Sequence, residues 1–142
     1  MTDLITIHDW ITASGKYPER ANHAELTEEV RANATKLLIA VNELLKDLGI
    51  GCVTVSSGFR PSSVNSKIPN AAKKSLHMTG LAIDLSDPNN TLDSAITLKP
   101  ELLAKHGLWQ EHPSKTVNWC HLDLGTRLSI TRPGCSSRQF WP

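Results

Sequence analysis

The stretch from Thr27 to Gly49 constrains the fold more than any other part of the chain. Val30, Ala34, Leu37, Leu38, Val41, Leu44, Leu45 and Leu48 recur at the steps that put them on one face of a helix. Thr27 is placed to cap the first turn, and Glu28 and Glu29 suit the positive end of the helix dipole. Gly49 is placed to end the helix in a left-handed conformation. A helix with a single apolar stripe must bury that stripe against something else. The segments that follow are β-branched or alternating: Cys52–Val55, Gly80–Leu85, Leu108–Glu111 and Asn118–Leu124 read as strands. Leu92 to Lys105 reads as helical, with an interruption at Pro100. Helices and strands are mixed rather than strictly alternating. That pattern predicts an α+β fold, a small, largely antiparallel sheet packed with helices.

The chain has 142 residues, which is the length of one domain, and a single domain over 1–142 is expected. Residues 1–26, with Tyr17-Pro18, read as a strap or partial helix, and the tail from Thr131 to Pro142 as a surface wrap. The formal net charge is +1 and Lys73-Lys74 is too short a basic run, so no nucleic-acid partner is expected. No apolar run approaches the roughly 18 residues of a membrane span. The first residues, M-T-D-L-I-T-I-H-D-W, lack a basic stretch followed by an apolar core. Synthesis in the cytoplasm without a signal peptide is the corresponding expectation. Cys52, Cys120 and Cys135 are odd in number and match no zinc or redox spacing, so they read as free thiols. A monomer is expected.

Chemistry concentrates in two segments: S-L-H-M-T-G-L-A-I-D-L over 75–85 and W-C-H-L-D-L over 119–124. His77, Asp84 and His121 offer two imidazoles and a carboxylate, a donor set that suits zinc with one position left open. An open position can hold a water and bring its pKa to about 7. Spacing by itself leaves other roles for each residue: a core or surface histidine, or a capping aspartate. His77 is best placed on a loop that leads into the strand of Asp84, with Gly80 at the turn. The polar loop running to Lys74 is long enough to suggest a functional role. Cys120 alternates with His121 and reads as a small buried residue behind the site. Trp109, Trp119 and Trp141 read as core or rim, and His8, His23 and His106 sit in no ligand spacing.

S-G-F-R-P at 57–61, the S-x-H-x-x-G-x-A-x-D pattern at 75–84 and the late W-C-H-L resemble a zinc peptidase family. It comprises D-Ala-D-Ala carboxypeptidases, D,D-dipeptidases and phage L-alanyl-D-glutamate endolysins. The three pieces occur in the family's order and bracket about half the chain. G-L-W-Q-E-H-P before W-C-H is similar to short phage-encoded members. The resemblance implies a hedgehog or D-Ala-D-Ala-peptidase-like fold. It implies Zn2+ bound by His77, Asp84 and His121, and peptidoglycan stem peptides as substrate. It also implies that Arg60 lies beside the metal and steers a carboxylate or an oxyanion, for which a guanidinium fork is suited. Ser75 either fixes the loop or contacts substrate, and Phe59 reads as core.

One position departs from the family. Many members carry an acidic general base three residues before the last zinc histidine, and here that residue is Asn118. Either another carboxylate serves or the protein is not a hydrolase. Glu111 is the preferred base, on a strand that a hairpin can bring beside His121, and Asp123 is the alternative. His112, next to Glu111, reads as an auxiliary donor or a surface residue. The implied activity is hydrolysis of stem-peptide bonds by a phage endolysin. The competing expectation, which Asn118 supports, is a non-cleaving zinc- or peptide-binding phage structural or recognition module. Carboxypeptidase and endopeptidase action differ in the loop from Pro61 to Lys74 and are not separable at this level.

Overall fold

The computed structural model describes residues 4–13, 20, 24–69, 71–125 and 138–142. His23, Tyr17-Pro18, Cys135 and most of the predicted tail wrap lie outside these. Helix α1 (Ile7–Thr12) opens on a capping box in which Thr6 and Asp9 satisfy each other's backbone N–H groups. Helix α2 (Glu28–Asp47) begins at the predicted Thr27 cap, whose hydroxyl accepts from the Val30 N–H. Gly49 follows at φ +71°, as predicted. The α2 stripe is buried along its length, with Ala34, Leu37, Val41, Leu44 and Leu45 fully inside.

That stripe packs in one core with residues from the sheet, among them Ile83, Leu85, Cys120 and Leu122. Among the described residues the sheet runs β1-β2-β4-β3-β5, where β1 is Val55–Ser57, β2 Ala82–Asp87, β3 Trp109–Glu111, β4 Asn118–Asp123 and β5 Gln139–Phe140. All neighbours are antiparallel except β3 and β5. The predicted α+β class, with its small and largely antiparallel sheet, is therefore the one observed. Short helices α3 (Ser62–Asn65), α4 (Thr91–Thr97) and α5 (Glu101–His106) fill the connections. The break between α4 and α5 falls at Pro100, as expected.

The larger differences from expectation lie in the first strand, the start of the second and the end of the chain, while β3 and β4 shift by one residue. The first strand is Val55–Ser57 rather than Cys52–Val55, because its ladder partners on β2 are Leu85 and Asp84. A strand exists where a neighbour offers a regular ladder; the Thr54 carbonyl accepts from the Ser86 N–H of β2 at 2.8 Å, at the edge of that ladder. The second starts at Ala82, since Gly80 at φ +88° still belongs to the turn. At the end of the chain, Gln139 and Phe140 add a fifth strand beside β3 instead of wrapping the surface, and Gln139 is buried.

Candidate metal centre

The sheet register aligns the chemistry in a row. Ser57 pairs with Asp84 and Asp84 with His121. Gln110 pairs with Leu122, so the next antiparallel step sets Glu111 opposite His121, and Glu111 in turn pairs with Phe140. Directly paired residues share a sheet face, so one row carries Asp84, His121 and Glu111 side by side. Cys120, Leu122 and Gln110 alternate to the other face, which is the core side.

His77 comes from outside the sheet, in a single 3-10 turn, Leu76–Met78. Ser75 caps the turn, its hydroxyl accepting from the His77 N–H at 3.2 Å. The turn is seated on α2: Asn33 donates to the Thr79 carbonyl at 2.9 Å, and a Cβ on Gly80 would lie 2.3 Å from the Val30 carbonyl oxygen. On its other side the backbone N–H of Arg60 donates to the His77 carbonyl. His77 Nδ1 lies 2.8 Å from the Gly58 carbonyl oxygen, an acceptor only. The proton therefore belongs on Nδ1, and the Nε2 lone pair faces Asp84 Oδ2 at 3.3 Å.

Asp84 is the hub. Its Oδ1 is 2.8 Å from His121 Nδ1, and its Oδ2 also accepts from Arg60 Nη2 at 3.0 Å. Arg60 is itself buried, with Nε donating to Ser57 Oγ at 3.0 Å. Burial alone would raise the Asp84 pKa, but the two histidines hold its carboxyl far below the usual range. Burial depresses the His77 imidazole against the pull of Asp84, which keeps a lone pair available on that ring. Burial also opposes charge on His121, but hydrogen bonds to Asp123 and Asp84 win and push its pKa up to about 10. One donor atom from each of His77, Asp84 and His121 lies within 4.8 Å of the others. Two imidazole nitrogens and a carboxylate oxygen, converging in a largely buried site, fit a zinc ion in both donor type and spacing.

The two candidate bases separate. Glu111 is partly exposed on the His121 row. Asp123 is completely buried, with Oδ2 at 2.7 Å from His121 Nε2 and Oδ1 accepting from the Gly125 N–H at 3.0 Å. Asn118 opens β4 at φ +78°, in the left-handed region that Asn tolerates, and is exposed. His112 bonds Ser114 and stacks near Trp141, with ring centroids 5.1 Å apart. Phe140 approaches His121 edge-on at 5.7 Å. Sequence reasoning did not find Phe140, Ser57 or the Gly58 carbonyl. Ser57 and Gly58 lay inside a recognisable motif, but nothing in spacing reveals a carbonyl's role. Phe59 and Cys120 are fully buried, as expected. Among the described cysteines, Cys52 and Cys120 are both free. His106 is 2.7 Å from Asp47, outside the cluster.

The sheet thus carries a His–Asp–His cluster whose donor types and spacing could hold a metal ion. Over residues 15–123 the chain matches the family described as Peptidase M15, and it belongs to that family. No curated protein matches the chain. Members of the family are zinc peptidases acting on peptidoglycan peptides, so the resemblance in the three motifs holds at that level. Among the described residues no helix is long and apolar enough to cross a membrane.

Proposed function

We propose that this chain is a zinc-dependent hydrolase of peptide bonds in peptidoglycan stem peptides, with the ion held by His77, Asp84 and His121. The observation that carries the proposal is the convergence of those three donors within 4.8 Å, inside the span that matches Peptidase M15. When bound, zinc polarises the scissile carbonyl and lowers the pKa of a water. Glu111 accepts the proton of that water at its carboxylate and returns it to the leaving amine. Its place on the His121 row supports this, as does the enclosure of Asp123, whose oxygens are engaged away from solvent. Arg60 anchors Asp84 and presents its guanidinium to a substrate carboxylate or developing oxyanion. In this reading the protein acts as a monomeric phage endolysin that reaches the cell wall after release. Its likeness to short phage-encoded members supports that role.

Incubation of the purified, zinc-loaded protein with cell walls tests the activity. Stem-peptide fragments are expected by mass spectrometry, and a chelator is expected to stop their release. A defined muropeptide separates carboxypeptidase from endopeptidase action. Zinc-dependent peptide binding with no cleavage over long incubation would favour the non-cleaving module, which Asn118 supports by standing where many relatives carry a base.

A further inference from the structure

We propose that Asp123 is the positioning residue for the metal centre: it keeps a His121 ring proton on Nε2, so that Nδ1, which faces the cluster, is the nitrogen that gives up its proton and offers its lone pair when metal binds. The proposal rests on the zinc reading above. Three observations carry it. Asp123 Oδ2 lies 2.7 Å from His121 Nε2, and an ionised carboxylate accepts hydrogen bonds only, so the proton between them belongs to the ring. The opposite nitrogen, Nδ1, is the one that faces Asp84 Oδ1 at 2.8 Å and so lies in the donor cluster. Asp123 is fully buried, and its other oxygen is held by the Gly125 N–H at 3.0 Å, so the carboxylate cannot rotate away without losing that bond.

A buried carboxylate is costly unless it is paired. Here the pairing has a direction. Asp123 sits two residues along β4 from His121 and shares its face, so the strand itself holds acceptor and ring in register. A carboxylate behind a metal-binding histidine orients the ring and raises its basicity, and losing it lowers metal affinity about 10–100-fold. The same contacts set Asp123 apart from Glu111, which lies one strand away on the partly exposed side of His121.

Asp123→Asn tests this sharply. One end of the amide donates rather than accepts, so it must either face Nε2 with an N–H, driving the ring proton to Nδ1, or oppose the Gly125 N–H. The full-length chain and this variant would be compared in zinc affinity, by competition with a chromophoric chelator, with folding checked by circular dichroism. A 10–100-fold loss of affinity in a folded variant is expected. A folded variant that binds zinc within twofold of the parent would overturn the proposal. Long-range 15N–1H spectra of the zinc-loaded parent provide a second readout that does not depend on the variant folding. His121 should show a protonated Nε2 and a metal-bound Nδ1, and the reverse pattern overturns the assignment. A parent chain that takes up no zinc removes the metal reading itself, and this inference with it.

Discussion

At the level of single residues, the site is a contest between burial and pairing. His77 and His121 are chemically identical, but their partners differ. His77 gives its Nδ1 proton to a carbonyl, and burial keeps the ring neutral, while His121 lies between two carboxylates that favour its charged form. His77→Ala removes a donor whose lone pair already faces Asp84. Zinc should then fail to bind at micromolar concentrations in equilibrium dialysis, and activity should vanish with it. Undiminished zinc binding would sink the ligand assignment. Glu111→Gln keeps the shape of the side chain and removes only its ability to take a proton. Turnover should fall about 10²–10⁴-fold, with zinc affinity little changed, since in the proposed mechanism the residue takes up the water's proton and does not hold the ion. Near-normal turnover in this variant would remove Glu111 as base. The sequence made His77, Asp84 and His121 legible because motif and donor chemistry agreed. The role of Asp123 was hidden, since an H-x-D on a strand says that the two side chains share a face but not that they bond.

At the level of elements, the long helix and the turn that carries His77 depend on each other. Gly80 sits against the α2 backbone at φ +88°, where any side chain would be strained and a Cβ would meet the Val30 carbonyl at 2.3 Å. Gly80→Ala should therefore cost about 3 kcal/mol or more of stability, measured by urea denaturation. Zinc affinity should fall as well, because the turn must lift off the helix and carry His77 with it. A variant as stable as its parent would show that the turn is not held as described. The helix was readable from Thr27 to Gly49 because capping and periodicity are local signals. The edges of the strands were not, because they are set by partners distant in sequence: β1 by Leu85, and β5 by Gln110 and Glu111. No propensity within Gln139-Phe140 reports that neighbour.

At the level of the whole molecule, the metal centre couples folding to pH. In the metal-free protein His121 has its pKa held at about 10, above the value near 6.5 of an unfolded chain. Its contribution to stability is complete below about pH 6.5 and is lost as the pH rises through about 10. His77 and Asp84, both depressed, act in the opposite sense and at lower pH: they cost stability as the pH falls below their unfolded values. With chelator present, the melting temperature should therefore drop by several degrees between pH 6.5 and 10. Zinc must displace the His121 proton, so its stabilising effect should grow over the same interval. A flat or rising melting temperature in chelator would contradict this. The sheet row has a consequence in time as well as in space. Its residues run from Ser57 to Phe140, and the strand order places β4 between β2 and β3. As the chain leaves the ribosome, Arg60, His77 and Asp84 emerge well before Glu111, His121 and Phe140. A chain made only as far as β3 holds part of the proposed donor set, and the set is complete only once His121 has emerged.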